Sequence, residues 1–392
     1  MIDSQNIPHL IKYMGAKREI LQYVTESIKN LNVDSTWLCD LFSGTSVVAA
    51  AFKDEYNIHA NDIQQYSSIF SNTYFANLRK EIPLRFISDI EEHACALISE
   101  FKAKYPCFNF DYVDINDYIR LKELEEAQQN LINFDFGLGF NLFTKYYSGT
   151  YWSYEQCLWI DSIRAVAEDY VGQPHYYAIL SALIFAMSYS SQSTGHFAQY
   201  RDVTESNMTD ILIYRHKSIW NLFSKKLEEL ILTLNTDMQC NYKITSLDYL
   251  DCLRIIEENS IVYADPPYSS VHYSRFYHAI ETLVRYDHPV IKYKGRYRDD
   301  RHQSPFDKKT EVKKAFQSLF EGVKNRKAHL VLSYSDNGII SQTEILNLGD
   351  CILGKQYESH LQSKEYIHSK MGRSDEYKLD VNELIISYKR IL

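Results

Sequence analysis

Three observations predict an α/β protein built on a nucleotide-binding type of sheet. A strand-like run near residue 40 enters a glycine turn and then a helix. A second strand ends on an acid at residue 62. A late apolar run, Ile261-Val262-Tyr263-Ala264, ends in Asp265-Pro266-Pro267-Tyr268. The long stretch between the second and the late strand carries apolar positions at helical spacing, so the sheet is expected to hold a mostly helical insertion.

The first motif is Lys12-Tyr13-Met14-Gly15-Ala16-Lys17-Arg18, ahead of the amphipathic segment Ile20 to Ile28. Gly15 permits a close backbone approach and Lys17 is able to meet a carboxylate; a plain basic helix start reads the same way. Thr36-Trp37-Leu38-Cys39-Asp40-Leu41-Phe42 then reads as a strand, Ser43-Gly44-Thr45-Ser46 as a tight turn and Val47 to Phe52 as a helix. Strand, glycine turn and helix form the first βα unit of a nucleotide-type fold, with the ligand over the strand's carboxyl end. Ile58-His59-Ala60-Asn61-Asp62 reads as the second strand. An acid at that end is placed for ribose hydroxyls. The turn lacks the G-x-G-x-x-G spacing and the Lys-Ser/Thr of a phosphate loop. A cofactor with a ribose and no phosphates, S-adenosylmethionine (SAM) above all, fits better than a dinucleotide or ATP. The competing reading is a generic corner with Asp62 in solvent.

Residues 81–240 read as helices at Phe86–Phe101, Tyr118–Leu131, Gln156–Tyr170 and His175–Tyr189. A glycine- and aromatic-rich break lies at 134–152 and a polar loop at 190–210.

In the Asp265 loop, two prolines remove two N–H donors and fix two φ angles, and they bias Asp265 towards an extended backbone. The loop offers a carboxylate, free carbonyls and the Tyr268 ring, which suits it to hold an exocyclic amine of a nucleobase. An ordinary turn is the alternative. Downstream, residues 292–314 carry nine basic residues against four acidic ones, a local charge of +5 in a chain of net charge −9. Arg296, Arg298 and Arg301, interleaved with Tyr293 and Tyr297, are candidates for gripping phosphates; a solvated loop is the alternative.

Read in order, these blocks resemble the Dam-like class of adenine-N6 DNA methyltransferases of restriction-modification systems. Tyr13-Met14-Gly15-Ala16-Lys17 comes first, then Asp40-Leu41-Phe42-Ser43-Gly44, then a long variable region, then Asp265-Pro266-Pro267-Tyr268. The resemblance implies a Rossmann-like SAM-dependent methyltransferase domain at 1–80 and 241–392, with a target-recognition insertion at 81–240. It makes Asp62 and Ile63 the ribose-binding pair and Leu247-Asp248-Tyr249 the contact to the adenine of SAM. Val381-Asn382-Glu383-Leu384-Ile385-Ile386 is similar to the family's closing strand. Tyr13, Gly15, Lys17, Asp40, Phe42, Gly44, Thr45, Asp62, Ile63, Asp248 and Tyr249 are thereby expected around the cofactor. Asp265, Pro266, Pro267 and Tyr268 are expected at the target amine. Ser46 stands where the family often has a second glycine, and Tyr249 replaces the commoner Phe.

The implied substrate is double-stranded DNA with its target base flipped out. Gln199 and Arg201 are then candidate base readers, because both side chains make bidentate contacts to purine edges. His278 and Glu281 are expected to be structural, and Asp336-Asn337-Gly338 to line the target pocket. A cognate restriction endonuclease is an expected partner.

Composition agrees with a globular chain: 45% hydrophobic and 24% charged residues place it outside the disordered class. No apolar run reaches the length of a membrane span, and the start has no signal-peptide pattern. Seven cysteines without a Cys-x-x-Cys pair point to reduced thiols and argue against a zinc site. A cytoplasmic bacterial or phage-encoded enzyme acting on chromosomal DNA, without a metal, is the expectation. Three rivals stand beside it. One is a methyltransferase for the cytosine amine, a group that more often carries Ser-Pro-Pro-Tyr. The others are an RNA amine methyltransferase and a catalytically silent DNA-binding specificity subunit.

Overall fold

The computed structural model describes residues 7–12, 17–75, 85–193, 196–234, 240–268, 272–367 and 380–391. Tyr13 and Gly15 lie outside these described residues.

The chain runs through α1 (Leu21–Asn30), β1 (Trp37–Asp40), α2 (Val47–Ala51), β2 (Asn57–Asn61) and α3 (Gln65–Phe75). The helical stretch follows: α4 (Phe86–Lys104), α5 (Tyr118–Gln129), α6 (Leu142–Tyr147), α7 (Tyr154–Ala167), α8 (Pro174–Ser190), α9 (Met208–Arg215) and α10 (Ile219–Thr233). Next come β3 (Tyr242–Thr245), α11 (Tyr249–Ile255), β4 (Ile261–Ala264), α12 (Tyr273–Phe276), α13 (His278–Arg285), β5 (Ile291–Lys292) and β6 (Tyr297–Arg298). The chain closes with α14 (Val312–Asn325), β7 (His329–Ser335), α15 (Gln342–Leu353), β8 (Tyr357–Ile367) and β9 (Asp380–Arg390).

Seven strands form one sheet in the order β3-β2-β1-β4-β7-β9-β8. The first five are parallel, and β9 pairs antiparallel with β7 and with β8. Chain direction across the sheet reverses between β1 and β4, which opens a crevice at their carboxyl ends.

Buried parallel strands alternate their side chains between two covered faces. Leu38, Ile58, Ile261, Tyr263, Val331 and Ile385 face one core, shared with α1, α3, α8, α10 and α13. Cys39, Val262, Ala264, Leu330, Leu332 and Ile386 face the other, shared with α11, α14 and α15. The helical character expected for 81–240 is present. The inner helices of that stretch do not form a core of their own, however. Ile90 of α4, Ile163 of α7, Leu183 of α8 and Phe223 of α10 belong to the core that covers the sheet. Smaller clusters lie further out, one around Leu131, Phe136 and Tyr154 and another around Ile115, Leu121 and Ile211.

Some elements differ from the sequence expectation. The aromatic break contains α6, whose first free N–H groups at Phe143 and Thr144 donate to the buried Asp161 carboxylate at 2.9 and 2.8 Å. A cap supplied from the next helix leaves no local signature. The basic loop folds back as the β5–β6 hairpin. Asp336-Asn337-Gly338 does not line the cleft described below: Asp336 accepts from Asn382 Nδ2 at 3.0 Å, which fixes that turn to the antiparallel edge.

Candidate active site

The carboxyl ends of β1, β2 and β4 and the start of α11 surround one cleft of about 1100 Å³, counting its open mouth. That volume accommodates a cofactor-sized group and a base together. Lys17, Asp40, Phe42, Gly44, Thr45, Asp62, Ile63, Asp248 and Tyr249 all line it, as do Asp265, Pro266, Pro267 and Tyr268.

The glycine turn is built around Asp62. The Gly44 N–H donates to Asp62 Oδ2 at 2.9 Å and the Gln64 N–H to Oδ1 at 2.9 Å. Burial pushes the Asp62 carboxyl up to about 6, against the pull of these two bonds. Gly44 has φ 50° and Ser46 φ 57°. The family's second glycine is thus explained: position 46 is left-handed, a conformation a glycine takes without strain. Ser46 is held there by a hydroxyl bond to Ser71 at 2.5 Å. Asp40 lies deeper, accepting from the Ala49 N–H at 3.2 Å, and burial pushes it up to about 8.

One side of the cleft has an aromatic wall. Phe42 and Tyr249 stack at 5.9 Å between centroids, and Phe306 meets both edge-on at 5.5 and 5.1 Å. Asp248 caps α11 through a bond from the Leu250 N–H at 2.9 Å, so its backbone position is set by the helix start.

Asp265 follows β4. Its Oδ1 lies 3.0 Å from Lys17 Nζ, and the same ammonium lies 2.6 Å from Glu383 Oε1. Burial raises the Asp265 carboxyl to about 6, with Lys17 pulling it down and Glu383 pushing it up. Burial opposes the Lys17 charge, but the two carboxylates outweigh it and hold its pKa well above the ordinary lysine value. Asp265 Oδ1 accepts no well-directed hydrogen bond among the described residues. Oδ1 itself is buried beside the Lys17 ammonium, while the Asp265 side chain as a whole stays one-fifth exposed in the cleft wall. Tyr268 stands edge-on to Tyr334 at 6.0 Å, which fixes its ring beside the loop.

Several contributors were not legible in the sequence. In the sequence Glu383 reads only as part of a closing strand, yet its carboxylate also accepts from Ser333 Oγ. Tyr66, Tyr263, His302, Ser304, Pro305 and Asp307 also line the cleft. Asp307 pairs with His272 Nδ1 at 3.2 Å. The signal available for this wall was Pro305 inside the basic segment.

His278 and Glu281 lie outside this lining. Glu281 accepts from the Gln65 and Tyr66 N–H groups, both at 3.2 Å, and so caps α3. His278 Nε2 bonds the Phe197 carbonyl at 2.8 Å.

The two stretches singled out for DNA contact pack against each other. Lys294 pairs with Asp202, and Tyr297 donates its hydroxyl to the Ala198 carbonyl. Gln199 is exposed on this surface. Arg201 is tied to Asp210 and lies over Tyr214. Arg301 lies over the Tyr297 ring at 4.8 Å, and Arg296 is half-buried in the hairpin turn. Arg298 departs from the expectation of a phosphate contact. Its side chain is 1% exposed, with Asp287 at 2.7 Å and Asp300 at 3.0 Å. Its guanidinium holds the hairpin from inside and has no free face for a phosphate.

Among the described residues no helix is long and apolar enough to cross a membrane.

The chain also resembles known proteins over most of its length. It is 24% identical over 390 residues to Modification methylase LlaI of Lactococcus lactis subsp. lactis, covering 97% of this chain and 55% of that protein. It is 27% identical over 347 residues to Type II methyltransferase M.FokI of Planomicrobium okeanokoites, covering 86% of this chain and 46% of that one. It thus spans about half the length of these two relatives. Type II methyltransferase M.NlaIII of Neisseria lactamica is 21% identical over 345 residues, covering 86% of both chains. The family model described as D12 class N6 adenine-specific DNA methyltransferase matches residues 13–333. With a cleft at the switch point of a parallel sheet and an Asp-Pro-Pro-Tyr loop in its wall, the chain belongs to the D12 class of N6 adenine-specific DNA methyltransferases.

Proposed function

We propose that this chain transfers a methyl group from SAM to the N6 amine of an adenine flipped out of double-stranded DNA. In this reading it acts in the cytoplasm as the modification arm of a restriction-modification system, alongside a cognate endonuclease. The observation that carries it is the Asp265 carboxylate, ion-paired with Lys17 and partly exposed in the wall of the same cleft as Asp62 and the Phe42–Tyr249 pair.

The donor set fits SAM. Asp62 suits ribose hydroxyls, Phe42 and Tyr249 suit an adenine ring, and the ionised Asp62 carboxylate suits a positively charged cofactor. Lys17 is the one Lys or Arg lining the cleft among the described residues, and two carboxylates already hold it, which does not favour a polyphosphate.

Bound there, SAM supplies a methyl group on a positively charged sulfur. The chain supplies the rest. Asp265 and the Pro266 carbonyl accept the two hydrogens of the target amine, which leaves the nitrogen lone pair free to attack. Tyr268 stacks on the ring and offsets part of the cost of flipping, a few kcal/mol. Lys17 favours the ionised form of Asp265, which takes the amine proton late. The gain in rate comes from orientation and fixed charge.

In this reading 1–80 and 241–392 carry the chemistry, while 81–240 governs target choice through its outer loops. Gln199 and Arg201 are the proposed base readers, and Arg296 and Arg301 the proposed phosphate contacts. Methylation of the cytosine amine is the second reading; an aspartate at 265 favours adenine. Nucleoside analysis of DNA incubated with the chain and SAM separates the two. N6-methyladenine is expected, and N4-methylcytosine in its place would overturn the assignment.

A further inference from the structure

Cys39, His59 and Cys252 are far apart in sequence, and their spacing resembles no metal motif. The sheet register sets Cys39 of β1 beside His59 of β2, and α11 lays Cys252 over both. All three side chains are buried. The two sulfurs lie 4.0 Å apart, Cys252 Sγ lies 3.8 Å from His59 Nε2, and the three atoms fall within 4.8 Å of one another. A tetrahedral zinc ion with Zn–S near 2.3 Å and Zn–N near 2.0–2.1 Å holds its ligand atoms about 3.5–3.8 Å apart. Two of the three pairs are within a few tenths of an ångström of that size, and closing the widest takes a movement of up to about 1 Å.

A fourth donor is present. Thr245 Oγ1 lies 2.9 Å from His59 Nε2 and donates its proton to Asn61 Oδ1 at 2.7 Å. Asn61 is oriented by its Nδ2 bonds to the Leu41 and Leu247 carbonyls, so its Oδ1 is the acceptor. The Thr245 hydroxyl proton is therefore committed, and a lone pair faces the cluster. A small cavity lined by Cys39, His59, Lys243 and Glu257 adjoins the site. Lys243 and Glu257 are exposed, which gives an ion a way in.

We propose that Cys39, His59 and Cys252 bind one zinc ion, with Thr245 Oγ1 or a water completing the tetrahedron. Loading releases one proton from each thiol and shifts the His59 proton from Nε2 to Nδ1. The ion would fasten α11 to β1 and β2 directly behind Asp40, Asn61, Asp248 and Tyr249, and so brace the floor of the cleft without entering it. This proposal does not depend on the reaction proposed above.

The test uses the full chain, reduced and stripped of metal, titrated with Zn²⁺ against a chromophoric chelator and separately with Co²⁺. One equivalent of either ion should bind. The cobalt form should show a sulfur-to-metal charge-transfer band and the intense visible bands of a tetrahedral site. Melting temperature should rise with free zinc. Cys252→Ser should lose the charge-transfer intensity and at least tenfold in affinity, whereas Cys351→Ser, at an exposed cysteine, should change neither. Binding well below one equivalent, a cobalt spectrum without thiolate character, or unchanged affinity in Cys252→Ser would overturn the proposal. A Cys39–Cys252 disulfide that forms in air, with no metal uptake after reduction, would overturn it too. The wild-type cobalt spectrum decides the matter even if the Cys252 variant does not fold.

Discussion

Lys17 Nζ lies 3.0 Å from Asp265 Oδ1 and 2.6 Å from Glu383 Oε1, so one ammonium from the start of the chain is shared by a partly exposed and a buried carboxylate from its second half. Burial raises Asp265 to about 6 while Lys17 pulls it down. The proposed chemistry needs the ionised form, so the rate should rise with pH through about 6 and then level off. Lys17→Met removes the pull, and the acid limb should move to higher pH. A pH–rate profile of methyl transfer checks this. A limb that stayed near 6 in the variant would mean that another group controls it.

Asp62 should carry much of the cofactor's affinity. Losing a hydrogen bond to a charged group costs about 1.5–3 kcal/mol, so Asp62→Ala should weaken SAM roughly 10- to 100-fold. Binding to the wild type should also weaken as pH falls below about 6, because the half-buried acid then takes up its proton. Calorimetric titration with SAM measures both. Unchanged affinity would move the cofactor away from this turn.

Asp40 gives a stability signature. Burial pushes its folded pKa up to about 8, above the unfolded value near 3.9. The folded state therefore holds this proton more tightly. The associated stabilisation is fully present below about pH 4 and is lost as pH rises through about 8. Asp40→Asn removes this dependence. In denaturant titrations, wild type should lose stability relative to the variant between about pH 5 and about pH 9. Parallel curves would show that Asp40 ionises freely.

The arginines of the hairpin should separate by burial. Arg298→Ala leaves Asp287 and Asp300 to Arg285 alone and empties a buried site. A loss of about 2–4 kcal/mol is expected, below the full range for a buried pair because both acids are partly exposed. Arg296→Ala with Arg301→Ala should leave the melting curve nearly unchanged. That double variant should lower the slope of log affinity for DNA against log salt by about one per lost contact. A wild-type slope there would make the loop a solvated surface.

Much of the sheet and its cleft was legible because buried parallel strands read as short apolar runs whose ends supply the cleft's lining. Leu38 to Phe42, Ile58 to Asp62 and Ile261 to Tyr268 each place their polar residues at a carboxyl end. What escaped depends on distant partners. Glu383 meets Lys17 across the sheet, Asp161 caps α6 from the following helix, and Glu281 caps α3. Arg298 reads as a surface charge until Asp287 is seen to face it. Edge strands β3 and β8 present mixed, partly exposed faces and carry no apolar run. Cys39, His59 and Cys252 come together through register and helix placement, which linear spacing does not record.

The central claim is that Asp265 acts on the target amine and not on the cofactor. Single-turnover methyl transfer to DNA by Asp265→Asn, measured beside SAM affinity, tests it most directly. The account predicts a rate lower by at least about 10²–10³ with SAM affinity little changed. Transfer within about tenfold of wild type, or a loss explained entirely by weaker SAM binding, would contradict it.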